Sequence, residues 1–246
     1  EEPILEEDQE GHDEERNDKK TVDLQQRYPW DGKRGFRIPS ILLLGESGTG
    51  KTLVARWIAK ALYEKILEKD EPLPFCRVNM GAIGKELVDS ELFGHMKGSF
   101  TDSITDSPGI FLSHRGHVVF LDEIGDMLPK HQTRLLTYMD DGKVRPSGYH
   151  GALPTAPTVI VAATNRPVER LASEENGSFR HDLFCRFDHI LRLPPLRERK
   201  EDIRLLISLV LQDEEINPPG ENPEILGIQE ISLKAVRYLE KQPYPG

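Results

Sequence analysis

Cysteine is nearly absent from this chain. The two present in 246 residues, Cys76 and Cys185, lie far apart and lack metal-ligand spacing, which argues against a disulfide framework or a cysteine-held zinc. Both read as small, semi-buried thiols. Long apolar runs are missing too: none approaches the ~20 residues a membrane span needs. No signal-peptide pattern is present either. A cytoplasmic chain with no membrane partner is therefore expected. Lys and Arg total 32 against 42 Asp and Glu, and no dominant basic stripe argues for nucleic acid.

The net charge of −10 is unevenly placed. Residues 1–20 hold ten Asp and Glu against three Lys and Arg and contain no aromatic. Such a segment buries too little apolar area to offset its ordering entropy, so residues 1–27 read as an acidic tail or linker. The first residue is Glu1 rather than methionine, and the chain is expected to be a piece of something longer.

Ordered structure is expected to begin in the Pro- and Gly-marked stretch from Tyr28 to Ile38. The short apolar run Ile41–Leu44 reads as a buried parallel strand, and further strands are predicted at Phe75–Asn79, Val118–Leu121 and Val159–Ala163. Helical spacing of Leu53, Val54, Trp57, Ile58, Ala61 and Leu62 predicts a helix from Lys51 to about Leu67. Another is predicted at Leu128–Asp140. Alternating strands and helices define an α/β fold, a doubly wound parallel sheet over residues 28–194. Beyond it, Ile203–Leu211, a proline-rich loop at 217–223 and Ser232–Leu239 read as a small helical lid, incomplete, over residues 195–246.

Chemistry concentrates at the ends of the predicted strands. GESGTGKT, Gly45, Glu46, Ser47, Gly48, Thr49, Gly50, Lys51 and Thr52, fits G-x-x-x-x-G-K-[ST] between a strand and a helix. Glycines let backbone N–H groups wrap phosphates at a helix N-terminus. Lys51 would pair with the β and γ phosphates, and the Thr52 hydroxyl would face Mg²⁺. HVVFLDEI ends a strand in two carboxylates: Asp122 is suited to the hydrated Mg²⁺ and Glu123 to orienting a water. Thr164 and Asn165, in AATNRP, would reach the γ phosphate if their strand lies between the other two; Asn165 before Arg-Pro equally suits a turn. Arg180 and Arg186 have the chemistry to stabilise charge on a transferring phosphoryl group, from a neighbouring subunit if need be, or to form surface ion pairs.

These motifs, together with VNMGAIGKELVDSELFGHMKGSFTDS and LRLPPLRERKEDI, resemble the AAA+ ATPase domain of bacterial sigma-54-dependent transcription activators, the enhancer-binding proteins, over about residues 38–246. The resemblance implies an AAA+ P-loop NTPase with ATP and Mg²⁺ as cofactors. It implies that Asn79 holds the Glu123 carboxylate and that Thr164 and Asn165 sense the γ phosphate. Arg180 and Arg186 become fingers reaching a neighbour in a homo-hexamer or similar ring. The family contacts sigma-54 RNA polymerase holoenzyme through a GAFTGA loop, here Gly98, Ser99, Phe100, Thr101, Asp102 and Ser103. Residues 141–151 correspond to a second surface loop, or equally to a hairpin turn. KQPYPG resembles the start of a stretch whose sensor arginine lies outside this sequence, and any contact with DNA is expected from a domain that also lies outside it.

Asp102 adds a side chain, a charge and a φ restriction where the family has glycine. Two enzyme readings follow: a motor for sigma-54 RNA polymerase, or an AAA+ effector of this descent acting on another target. A third reading is a non-hydrolysing assembly switch.

Overall fold

The apolar runs become the middle of a five-stranded parallel sheet. A computed structural model describes residues 38–64, 73–99, 103–173, 177–212 and 230–244. Strands β1 (Ser40–Leu44), β2 (Phe75–Asn79), β3 (Val118–Asp122), β4 (Val159–Thr164) and β5 (His189–Arg192) stand in the order β2-β3-β4-β1-β5. The three central strands carry the longest apolar runs because both of their faces are covered. The edge strands β2 and β5 are partly exposed.

Alternation within each strand divides the core into two layers. Leu42, Leu44, Val119, Leu121, Ile160 and Ala162 face one side. Leu43, Val118, Phe120, Val161 and Ala163 face the other, where Ala55, Ala59 and Tyr63 of helix α1 (Lys51–Tyr63) cover them. Small residues on α1 let the helix sit close to the sheet, and the Tyr63 hydroxyl donates to the Gly116 carbonyl. The first layer is closed by α2 (Val88–Phe93), α3 (Gly109–Ser113) and α4 (Pro129–Asp141). At its centre Tyr138 stacks on Phe111 at 4.1 Å and donates to the Ala156 carbonyl at 2.7 Å. Burial raises the Tyr138 pKa far above the ordinary tyrosine value.

Short helices α5 (Val168–Ser173) and α6 (His181–Phe184) lead into β5. Two 3₁₀ turns at Leu196–Glu198 and Lys200–Asp202 then lead to α7 (Ile203–Gln212) and α8 (Leu233–Glu240). These last helices meet through an Arg204–Glu240 ion pair at 3.0 Å. Ser232 is the N-cap of α8, its hydroxyl accepting from the Ala235 N–H at 3.2 Å.

The structure differs from expectation at several boundaries. Helix α1 ends at Tyr63, four residues before the expected Leu67. Strand β5 and helices α2, α3, α5 and α6 were not anticipated. The tail at 1–27, the opening loop to residue 37 and the proline-rich loop at 217–223 lie outside the described residues. Among those described, no helix is long and apolar enough to cross a membrane.

Candidate functional site

The turn from β1 into α1 is built for a positive-φ backbone. Gly48 and Gly50 have φ of 77° and 90°, and a Cβ at either would meet nothing within 4 Å. Glycine is therefore required here by the dihedral angle, not by lack of room. The Thr49 hydroxyl donates to the Glu46 carbonyl at 2.9 Å, and the Gly45 N–H reaches the Thr164 carbonyl at 3.3 Å. Lys51 opens α1 with only 7% of its surface exposed, its ammonium donating to the Gly45 and Glu46 carbonyls at 2.9 Å each. Thr52 follows it. The first turn of α1 has no acidic residue, so the positive end of the helix faces the loop unopposed.

Strand β4 lies between β1 and β3, which sets the phosphate-type loop and the two carboxylates on either side of the β4 C-terminus. Asp122 ends β3, 7% exposed, with its Oδ2 2.7 Å from the guanidinium of Arg77. Glu123 follows in the left-handed region at φ 55°, unusual for a residue with a side chain. This turn directs its carboxylate to β4: Oε2 accepts from the Asn165 N–H at 3.3 Å. Thr164 is fully buried, its hydroxyl accepting from the Arg166 N–H at 3.1 Å. Glu123, Thr164 and Asn165 thus share one end of the sheet with Asp122 and the loop.

Asn79 stands beside Asp122 in the β2–β3 register. Its Oδ1 accepts from the Gly81 N–H at 2.9 Å, a tight local turn. The expected hold on Glu123 comes here from the Asn165 backbone, one strand further along.

Both arginines are engaged within the chain. Arg180 forks onto Asp182 at 2.6 and 3.0 Å, while its N–H donates to Gln132 Oε1 at 2.8 Å. This pairing pulls the Asp182 pKa below 3.8. Arg186 pairs with Asp140 at 2.6 Å. The candidate partner loop begins with Gly98, whose N–H donates to the Ser103 carbonyl at 2.9 Å; Ser99 follows. Phe100, Thr101 and Asp102 lie outside the described residues. The loop's base is hydrogen-bonded to the segment 141–151: Met96 N–H to the Ser147 carbonyl at 2.9 Å, and Ser147 N–H to the Gly94 carbonyl at 3.0 Å.

Four side chains at this site were not anticipated. Arg77 pairs with Asp122, and Arg166 pairs with Asp126 at 2.5 Å. Arg197 forks onto Glu46, and Arg199 donates to the Thr49 carbonyl at 2.9 Å. The run LPPLRERKED was the only hint of the last two, and it named no partner.

Together the sheet order, the glycine turn with a helix N-terminus behind it and the strand-end carboxylates define an α/β P-loop NTPase fold of the AAA+ type. The model of the Sigma-54 interaction domain family matches residues 34–192. The chain belongs to that family. It is 42% identical over 209 residues to the DNA-binding transcriptional regulator NtrC of Rhizobium meliloti, covering 84% of this chain and 40% of that protein. The NtrC of Salmonella typhimurium is 47% identical over 178 residues, 70% of this chain and 35% of that one. The chain therefore spans about 40% of the length of the curated relatives it matches. Among solved structures, NtrX from Brucella abortus in complex with ADP superposes with a TM-score of 0.64 at 25% identity, covering 93% of this chain and 45% of that one.

Proposed function

We propose that this chain is the ATP-hydrolysing motor of a ring that remodels the sigma-54 RNA polymerase closed complex to activate transcription. The observation that carries the reading is that β4 lies between β1 and β3, so the Lys51 loop and the Asp122–Glu123 pair meet at the C-terminal end of the sheet. Family membership and the NtrC relatives support a sigma-54 activator.

In this reading the N–H groups of Glu46–Thr52 wrap the phosphates, and Lys51 exchanges its two carbonyl partners for β and γ oxygens. Glu123, held by the Asn165 N–H, orients the attacking water and draws off its proton. Asn165, exposed at the end of β4, contacts the γ phosphate, the buried Thr164 beneath it holds the turn through the Arg166 N–H, and Asn79 fixes the turn beside Asp122. Arg180 and Arg186 reach the nucleotide of the next subunit. The Thr52 hydroxyl and the buried Asp122 carboxylate are hard oxygen donors that fit Mg²⁺. Thr52 and Asp122 would hold the cation, which would supply charge neutralisation at the phosphate oxygens.

Lys51→Ala is expected to abolish binding of a fluorescent ATP analogue. Glu123→Gln is expected to bind it normally while turnover falls about 100-fold or more. Equal loss of binding in both variants overturns the site.

Asp102 in the GSFTDS loop favours a second reading, with the same motor acting on a target other than sigma-54. A charge desolvated without a partner weakens docking by one to a few kcal/mol, roughly. Trapping with a transition-state analogue separates the two: no sigma-54 complex with the wild type, gained with Asp102→Gly, supports the second.

A further inference from the structure

The segment joining the sheet to the last helices passes directly over the phosphate loop. Leu193 N–H donates to the Leu44 carbonyl at 2.8 Å, fixing the start of that segment beside the end of β1. Four residues on, Arg197 meets Glu46 through both terminal guanidinium nitrogens, Nη1 reaching Oε2 at 2.7 Å and Nη2 reaching Oε1. Arg199 donates to the Thr49 carbonyl, and its Nε is buried with no hydrogen-bond partner among the described residues. Ile203, the first residue of α7, is buried. The loop is thus anchored at Glu46 and at Thr49, on either side of the Gly48 apex, where a would-be Cβ meets no atom of the described residues within 4 Å.

Lys51 pulls on the same loop. The Lys51 ammonium draws the Gly45 and Glu46 carbonyls towards itself. An arch of glycines with no packing at its apex has little stiffness of its own against that pull. The arginine fork is directional, and Glu46 is held by its side chain while its carbonyl serves Lys51.

We propose that Arg197 and Glu46, braced by Arg199 on Thr49, form a clamp that keeps the phosphate loop shaped for nucleotide and ties that shape to α7. Arg197 is a positioning residue for capture of a nucleoside triphosphate. The inference rests on the ATP-site reading above. Because the pair is half-exposed, its effect is modest, but planar bidentate geometry makes it specific to arginine.

The test is equilibrium binding of a fluorescent ATP analogue, with steady-state turnover beside it, in the whole 246-residue chain. Arg197→Ala should weaken binding about two- to fivefold and raise KM more than it lowers kcat. Arg197→Lys should recover only part of the loss. In the double variant Glu46→Gln with Arg197→Ala, the second change should add little to the first. Arg204→Ala, which removes the ion pair to Glu240 between α7 and α8, is the control and should leave binding unaltered. Wild-type affinity in Arg197→Ala, full additivity in the double variant, or an equal loss in Arg204→Ala overturns the clamp. A wild-type chain that binds no nucleotide overturns the ATP site as well, so the two failures are distinguishable.

Discussion

His117, just before β3, stands half-buried with its ring centroid 5.5 Å from that of His114. Burial first, then the charge of His114, holds its pKa below 6.5. A histidine whose folded pKa is depressed favours the folded chain while neutral. That contribution is present above about pH 6.5 and is lost as pH falls through the depressed value, because the unfolded chain takes up the proton first. Urea unfolding at about pH 7.5 and about pH 5.5 should show the wild type losing more stability on acidification than His117→Gln. Equal losses in the two chains would remove His117 as the cause. Single residues were legible in the sequence where their chemistry is local. Lys51 and Thr52 sit inside a contiguous motif, and Asp122 and Glu123 end one apolar run. Arg197 was not legible as a clamp, because its partner Glu46 lies 151 residues away and its charge alone suits any solvated surface. Arg77 was hidden likewise: only the β2–β3 pairing brings it to Asp122.

Between residue and molecule, two loops are joined by their bases. At Gly94 the chain leaves α2 with φ 81°, and a Cβ there would lie 2.2 Å from the Ser107 carbonyl oxygen; the facing Gly109, φ 73°, would meet the Gly94 nitrogen at 2.3 Å. Two glycines thus let the returning strand of the GSFTDS loop pass against its own outgoing strand. The same Gly94 carbonyl accepts from Ser147. Gly94→Ala therefore collides with backbone, which cannot rotate away, at a dihedral that alanine disfavours. A loss of about 1–3 kcal/mol is expected, with faster amide exchange in residues 95–99, 103–107 and 142–148 while the sheet stays protected. Uniform loss of protection across the sheet would mean that the loop base is part of the global folding unit. The central strands were legible because parallel sheets bury both faces of continuous apolar runs. Strand β5, reading HILR at an exposed edge before Leu-Pro-Pro, has neither the length nor the alternation to be told from a loop. Helices α2 and α3 are five or six residues long, held by Phe93 and Phe111 packing on Tyr138 rather than by any helical period of their own.

At the scale of the whole molecule, the proposed role of Arg180 and Arg186 makes a second chain part of the site. Arg180 spends one edge of its guanidinium, Nε and Nη2, on Asp182, two residues away, on a surface where each side chain stays about half exposed. An ion pair so exposed is weak, so a phosphate of higher charge can displace Asp182 without great cost. Arg186 is fixed to Asp140 at the end of α4, close to the same surface element through α6. If these guanidiniums serve a neighbour's nucleotide, a chain lacking them can still bind ATP and a chain lacking Lys51 can still lend them. Arg180→Ala and Arg186→Ala should each keep binding of the fluorescent analogue within about twofold while turnover drops about 100-fold or more. Mixing either variant with Lys51→Ala should then restore turnover. In a mixed ring, intact binding sites of the first chain meet intact arginines of the second, and the recovered rate should rise and fall with the mixing ratio. Variants that each lose turnover and recover none at any ratio would mean that the arginines act within their own chain, and that the ring is not required for their chemistry.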